Sequence, residues 1–277
     1  MPDPYLPAAG QTPSLVPLAR RLADAVGALD FAPPVAFVYN PLVYARQPLE
    51  RYLERWGRGP KELLFVGMNP GPFGMMQTGV PFGEVGMVRD WLGIEGAVSR
   101  PPAEHPKRPV EGFACRRCEV SGARLWGWAR ARFATPERFF ARAFVWNWCP
   151  LGFLDAGGRN LTPEKLPRAE RAAVEAVCDA ALAEVVAELE VRWVIAVGAV
   201  AEAAVRRAIP QVGSAPAMAR IPHPSPASPS ANRDWAGQVD TALATAGVDL
   251  GDCSALGDLG DLGDLGDLSQ RAPADSR

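Results

Sequence analysis

The chain has 277 residues, 48% of them apolar and 22% charged, with a formal net charge of −2. That size and balance suit one or two folded domains around a sizeable core, and exclude a fibrous or low-complexity chain. The longest uncharged apolar run, Trp193 to Ala201, is far short of the ~20 residues of a membrane span, so no membrane partner is expected.

Taken in chain order, the apolar spacing predicts helices over Ser14–Leu29, Leu49–Arg55, Glu84–Leu92, Ser121–Phe133, Arg168–Leu189, Ala199–Ala208 and Pro229–Ala246. Pro167 marks the start of the longest, because proline suits a first helical turn. Short apolar runs predict strands over Val35–Tyr39, Glu62–Val66, Arg142–Trp146, Arg192–Val197 and Ala217–Ile221. Strands separated by helices imply an α/β fold, a three-layer α/β/α sandwich around a mainly parallel four-stranded sheet. After residue 250 the character changes. Residues 257–268 are four tandem copies of Gly-Asp-Leu, which carry too little apolar surface to order themselves. The expected organisation is one folded domain over 1–250 and a disordered acidic tail over 251–277.

The tail also distorts the charge. Residues 249–277 hold seven Asp and two Arg, so residues 1–248 carry 27 basic against 24 acidic groups. Of the 29 basic residues, 26 are Arg. Arginine suits phosphate contacts because its planar fork binds two oxygens at once; a compositional drift toward Ala, Gly, Pro and Arg explains the excess equally well. Five cysteines and no basic-then-apolar leader fit a reducing compartment. The expected location is cytoplasmic, nucleoid-associated in a bacterium, or nuclear in a eukaryote.

Three strands end in proline-stiffened turns: Gly67-Met68-Asn69-Pro70-Gly71, Asn147-Trp148-Cys149-Pro150 and Pro222-His223-Pro224-Ser225-Pro226. Ligands of open α/β sheets lie outside the carboxyl ends of the strands. Asn69, Asn147 and His223 are therefore candidates for one shared site, or else belong to three unrelated turns in which Asn is common anyway.

The run from Gly67 to Val85, together with Val88–Ile94, His105–Val110, Ser121–Arg124, Gly158–Pro163, His223–Pro226 and Ala231-Asn232, resembles the single-strand-selective monofunctional uracil-DNA glycosylases of the uracil-DNA glycosylase superfamily. The likeness spans roughly residues 35 to 236. It implies a cofactor-free, monomeric DNA repair enzyme that flips uracil out of single- or double-stranded DNA and hydrolyses its N-glycosidic bond. By that resemblance Asn69 holds the attacking water and His223 stabilises the departing base. Asn147 reads the uracil edge, Phe82 stacks on the base, and Met68 and Gly71 complete the pocket. Gly71 leaves room for C5-oxidised uracils such as 5-hydroxymethyluracil; xanthine and hypoxanthine stay open. The residues Pro224, Ser225, Pro226, Ala227, Ser228 and Arg233 are expected to meet DNA, with Ser228 capping a helix that begins at Pro229. The family places an arginine where this chain has Ala227, so the strand preference stays open, as does a weakly active, nucleobase-binding alternative.

Two further readings concern chemistry the likeness does not need. Cys115-Arg116-Arg117-Cys118 is half of a metal site, but Cys149 and Cys178 lie at spacings unlike a cluster motif, and no metal is expected. Lys61, Lys107 and Lys165 fall outside the matched catalytic motifs, so no amine is placed for strand cleavage. A nucleotide-binding fold is disfavoured by the lack of a Walker A run or a Gly-x-Gly-x-x-Gly fingerprint.

Overall fold

The fold was obtained as a computed structural model, which describes residues 14–209 and 215–251. Four parallel strands form the centre: β2 (Leu63–Gly67), β3 (Ala143–Asn147), β6 (Trp193–Val197) and β7 (Ala217–Ile221), in the order β3-β2-β6-β7. Strands β2 and β3 are buried along their whole length. Their uninterrupted apolar runs are those of strands covered on both faces. Helices α1 (Val16–Gly27), α7 (Arg168–Glu188) and α8 (Ala199–Ala208) stack together, with α8 against β6 and β2. Helices α5 (Val120–Phe133), α6 (Pro136–Phe140) and α9 (Trp235–Thr245) form the second layer, against β3 and β7. The expected three-layer architecture is the one observed.

The layer of α5 and α6 meets the sheet through aromatic rings. Phe139 lies edge-on to Phe133 and Phe140, with centroids 5.3 and 5.0 Å away, and Phe65 of β2 sits 6.1 Å from it. Such edge-to-face pairs add to the area they bury. Short helices α2 (Pro41–Tyr44), α3 (Arg46–Trp56) and α4 (Met75–Thr78) wrap the flank. α2, α4 and α6 escaped the sequence reading because four or five residues show no periodicity.

Three expected elements differ. The strand expected over Val35–Tyr39 does not join the parallel sheet. As β1 (Phe37–Tyr39) it pairs antiparallel with β4 (Gly152–Leu154), which pairs with β5 (Asn160–Leu161) in a separate three-stranded sheet. The helix expected over Glu84–Leu92 is a five-residue π-turn, Met87–Trp91, closed by Leu92 N–H to the Met87 carbonyl. Its entry is fixed by the Glu84 carboxylate, which accepts from Met87 N–H at 2.8 Å. The helix expected over Pro229–Ala246 is split. Residues 229–232 form a 3-10 turn, and α9 starts afresh after Asp234, whose side chain accepts from Gly237 N–H. Ser228 therefore precedes a short 3-10 turn and caps no long helix. The acidic repeats lie outside the described residues.

Phe139→Ala should cost about 3–5 kcal/mol, the usual penalty for emptying a buried aromatic site. Val43→Ala, at a side chain 51% exposed, should stay within about 0.5 kcal/mol. Thermal or denaturant unfolding of the two variants beside the parent checks both figures.

Candidate active site

The parallel register sets Gly67 directly beside Asn147 at the carboxyl ends of β2 and β3. The chains then stay zipped together beyond the strands. Trp148 N–H donates to the Gly67 carbonyl at 2.9 Å, and Cys149 N–H to the Met68 carbonyl at 2.8 Å. A Cβ on Gly67 would stand 2.2 Å from Asn147 Oδ1 and 2.6 Å from the Phe82 ring. No side chain fits there, so the missing one lets an amide and an aromatic ring close over the end of β2.

Asn69 follows two residues on. Its Nδ2 faces the Leu151 carbonyl at 3.5 Å, just before β4, and the Leu161 carbonyl at 3.4 Å, at the end of β5. Both amide protons are directed at main-chain oxygens, which leaves Oδ1 as the acceptor. The small antiparallel sheet, unforeseen in the sequence, is what holds this side chain. Asn160 Nδ2 adds a bond to the Pro70 carbonyl at 3.2 Å.

Phe82 is buried at positive φ, +52°, a conformation that costs a non-glycine residue energy unless its surroundings enforce it. The enforcement is visible. The Phe82 carbonyl accepts from Trp126 Nε1 at 3.0 Å and from Glu84 N–H at 2.8 Å, and a Cβ on Gly122 would lie 2.0 Å from that oxygen. Met75 Sδ lies 3.2 Å from Asn147 Nδ2.

At the far end of the sheet edge, His223 follows β7. Gly198, at φ +91° after β6, packs on it, a Cβ there falling 3.0 Å from the His223 Cβ. Ser225 N–H donates to His223 Nδ1 at 3.1 Å. Nδ1 is thus an acceptor, and the proton of the neutral ring sits on Nε2. Burial pushes the imidazole pKa below its ordinary 6.5, so the ring is neutral at pH 7.

The loop after His223 is braced from α5. Arg124 donates to the Pro224 carbonyl at 2.9 Å and to Asn232 Oδ1 at 3.0 Å, while Asn232 Nδ2 donates to the Pro226 carbonyl at 3.0 Å. Pro224 is buried, Ser225 and Ser228 are half-buried, and Pro226 and Ala227 are exposed at the tip. Ala227 N–H donates to Ser225 Oγ. Arg233 is exposed and forms no ion pair among the described residues, whereas Arg220 is paired with Glu202 at 2.8 Å.

The sequence reading named Asn69, Asn147, Phe82, His223, Met68 and Gly71, and the structure sets them along one edge of the sheet. It missed Gly67, Met75, Glu119 and Trp126, whose part depends on contacts between distant segments. Arg124 and Asn232 lay inside recognised motifs, but no spacing discloses that they touch. Among the described residues no three His, Cys, Asp or Glu side chains converge on a metal position. Cys115 is buried and Cys118 exposed, and burial raises the Cys115 thiol pKa. Cys178 instead neighbours Cys149; their hydrogen bond, with burial, lifts its pKa well above the usual value. Lys61 Nζ is buried at the opposite end of β2, donating to the Phe140 carbonyl.

The family model of the Uracil DNA glycosylase superfamily matches residues 56–242. A single-strand selective monofunctional uracil-DNA glycosylase of Rattus norvegicus is 53% identical over 215 residues, covering 78% of this chain and 77% of that protein. The chain belongs to this glycosylase family. The Mus musculus member is 50% identical over 228 residues, covering 82% of each chain. The crystal structure of Pedobacter heparinus SMUG2 shares the fold, with TM-score 0.58 and 18% identity over 82% of this chain and 96% of that one. Against that family background, Ala227 stands at the exposed tip of the loop that Arg124 braces.

The titration of His223 has a definite sign. Its folded pKa lies below the unfolded value, so the unfolded chain takes up the proton first as pH falls. The contribution to stability is complete above pH 6.5 and is lost as pH drops from there toward the folded pKa. Nuclear magnetic resonance should place the midpoint below 6.5 with the Nε2–H tautomer, and His223→Gln should flatten the pH dependence of unfolding in that window.

Proposed function

We propose that this protein is a monofunctional uracil-DNA glycosylase that flips uracil into the pocket over Gly67 and hydrolyses its N-glycosidic bond. The observation that carries the reading is the arrangement of three neutral polar groups, with His223 fixed as an Nε2–H donor by Ser225. A carboxylate base is not needed where the base leaves first. As the bond to the sugar breaks, negative charge gathers on the uracil and positive charge on the sugar. A neutral N–H aimed at O2 stabilises the first; a pre-organised donor of this kind contributes roughly 3–4 kcal/mol in other enzymes. Asn69 Oδ1 orients the water that then adds to the sugar, but an amide cannot take its proton.

Asn147 supplies a donor and an acceptor side by side for O4 and N3–H of uracil. Cytosine would set donor against donor there, a mismatch that a buried site rejects strongly. Phe82 offers its ring to the flipped base, worth ~1–3 kcal/mol. Gly71 carries no side chain to obstruct C5, which supports acceptance of C5-oxidised uracils. Strand cleavage is left out of the reading, since Lys61 is held at the far end of β2. The enzyme needs no cofactor and acts as a monomer. In support of the last point, Val43 and Val120 are the large exposed apolar side chains among the described residues.

Asn69→Ala and His223→Ala should each lower uracil release by about two or more orders of magnitude, while both proteins still bind abasic DNA. Near-parental release by either variant would remove the role assigned to it.

Ala227 shapes the strand preference. Flipping a base from a duplex leaves a gap in the stack, and a methyl group at the loop tip cannot fill it. Single-stranded DNA has little stack to lose, and so it is the favoured substrate. Ala227→Arg should raise the duplex rate about ten-fold, by recovering ~1–2 kcal/mol of the flipping cost, and leave the single-strand rate within about a factor of two. Single-turnover rates on matched oligonucleotides check this.

A further inference from the structure

Residues 114–119 run alongside the Gly71–Gly74 turn that walls the base pocket. Glu119 sits at the pocket end, where a Cβ on Gly71 would lie 3.3 Å from its Oε1. Two residues back, the Arg117 guanidinium lies over the Phe73 ring, 4.6 Å from its centroid, and Arg108 reaches the same ring at 5.4 Å. Between these segments opens a cavity of about 360 Å³, whose lining includes Phe73, Lys107, Arg116 and Arg117. Its walls are pinned by Gln77, a side chain only 1% exposed. Gln77 Nε2 donates to the Pro72 and Pro109 carbonyls at 2.9 and 3.0 Å, and Oε1 accepts from Glu111 and Gly112 N–H at 2.8 and 3.1 Å. Donors and acceptor of the amide are all spent on the two walls, so the cavity holds its shape without an occupant.

The charge there is unbalanced. Lys107, Arg116 and Arg117 are exposed and form no ion pair among the described residues, whereas Arg20, Arg142, Arg206 and Arg220 lie against carboxylates. Glu111 is the acid in the lining, and it is hydrogen-bonded to the Cys115 thiol. An aromatic face holds a guanidinium in place without neutralising it, as a carboxylate would. Three cations kept charged around a pre-shaped cavity call for an anion. The cavity also adjoins the base pocket. Phe73 is two residues from Gly71, at most ~7 Å of chain, a distance that a DNA strand covers in about two nucleotides at ~3.4 Å of rise each.

Resting on the glycosylase reading, we propose that this cavity is a subsite for the DNA backbone beside the flipped nucleotide, in which Arg116, Arg117 and Lys107 hold a phosphodiester on one flank of the uracil. The arginine forks take its two free oxygens, and Lys107 adds a point charge. A grip on the backbone alone carries no sequence information. It also needs no second strand, so it serves single-stranded DNA, where base stacking gives the enzyme little else to hold.

The test is single-turnover uracil release from single-stranded oligonucleotides extended on the 5′ side of the uracil, on the 3′ side, or on both, with the full-length protein. The variants are Arg116→Ala with Arg117→Ala, the same pair changed to Lys, and a control, Arg138→Ala with Arg192→Ala. The control pair is exposed and precedes β3 and β6, at the opposite end of the sheet. On the oligonucleotide extended both ways, the Ala pair should raise the half-saturating enzyme concentration about ten-fold or more, the worth of hydrogen bonds to a charged group. Its log–log salt dependence should be shallower by ~0.7, the value of one phosphate contact on a single strand. The Lys pair should recover part of the affinity, and the rate at saturation should stay within about two-fold throughout. The deficit should persist with one of the one-sided oligonucleotides and vanish with the other. Affinity of the Ala pair within two-fold of the parent, or an equal deficit in the control pair or on both flanks, would overturn the inference alone. A parent that releases no uracil would overturn the glycosylase reading, and this inference with it.

Discussion

The hydrogen bond from the Trp126 indole to the Phe82 carbonyl ties the pocket to the core. Trp126 is fully buried and sits among Trp91, Phe139 and Phe140, so its N–H is fixed by packing. The carbonyl it holds belongs to a residue at positive φ, and without that hold Phe82 would relax toward a commoner conformation. Its ring would then leave the end of β2, where Gly67 had made room for it. Helix α5 carries Gly122, Arg124 and Trp126, and Glu119 caps its start. A single rigid element thus sets the ring, the carboxylate beside Gly71 and the brace under the His223 loop.

The chain contains two histidines, and they use the same turn for different ends. In His105-Pro106-Lys107, as in His223-Pro224-Ser225, the N–H two residues on donates to Nδ1. This leaves Nε2–H on each ring. His105 spends that proton on the Ala156 carbonyl at 3.1 Å and is only 3% exposed, so it is a structural cross-link between two loops. For His223 the Ser225 contact is the hydrogen bond the ring makes among the described residues. The difference between them is the absence of a carbonyl at the right place, and no sequence pattern announces that.

Much of the architecture was legible because it follows from continuous apolar runs. Leu63 to Val66 and Trp193 to Val197 read as buried strands, and Ala199–Ala208 begins and ends where its pattern does. The sites after those strands were legible too, since strand ends point to one sheet edge. What could not be read were pieces whose reason is tertiary. Strands β4 and β5 have three and two residues, too few for a period, yet Leu161 of β5 and Leu151 just before β4 supply the carbonyls that aim Asn69. The break between Asn232 and α9 arises because Asn232 bonds the Pro226 carbonyl and accepts from Arg124, contacts that outbid local helix propensity. Glu119 carries no sequence signal of its own. It is half-buried because the Gly71–Gly74 loop folds across it, and this loss of solvent raises its carboxyl pKa.

A common thread runs through the groups that aim the site. Asn69 is aimed by the carbonyls of Leu151 and Leu161, His223 by the amide of Ser225, and the His223 loop by the carbonyls of Pro224 and Pro226. All are main-chain atoms: the carbonyls come with every residue type, and the Ser225 N–H with every type but proline. Side chains at 151 or 161 are therefore free to drift over generations without turning a working group out of line, provided the core around Leu151 and Leu161 stays filled. An insertion or deletion of one residue in these same segments has no such latitude, because it moves the guiding oxygen itself. The site is tolerant of altered spelling and intolerant of altered length.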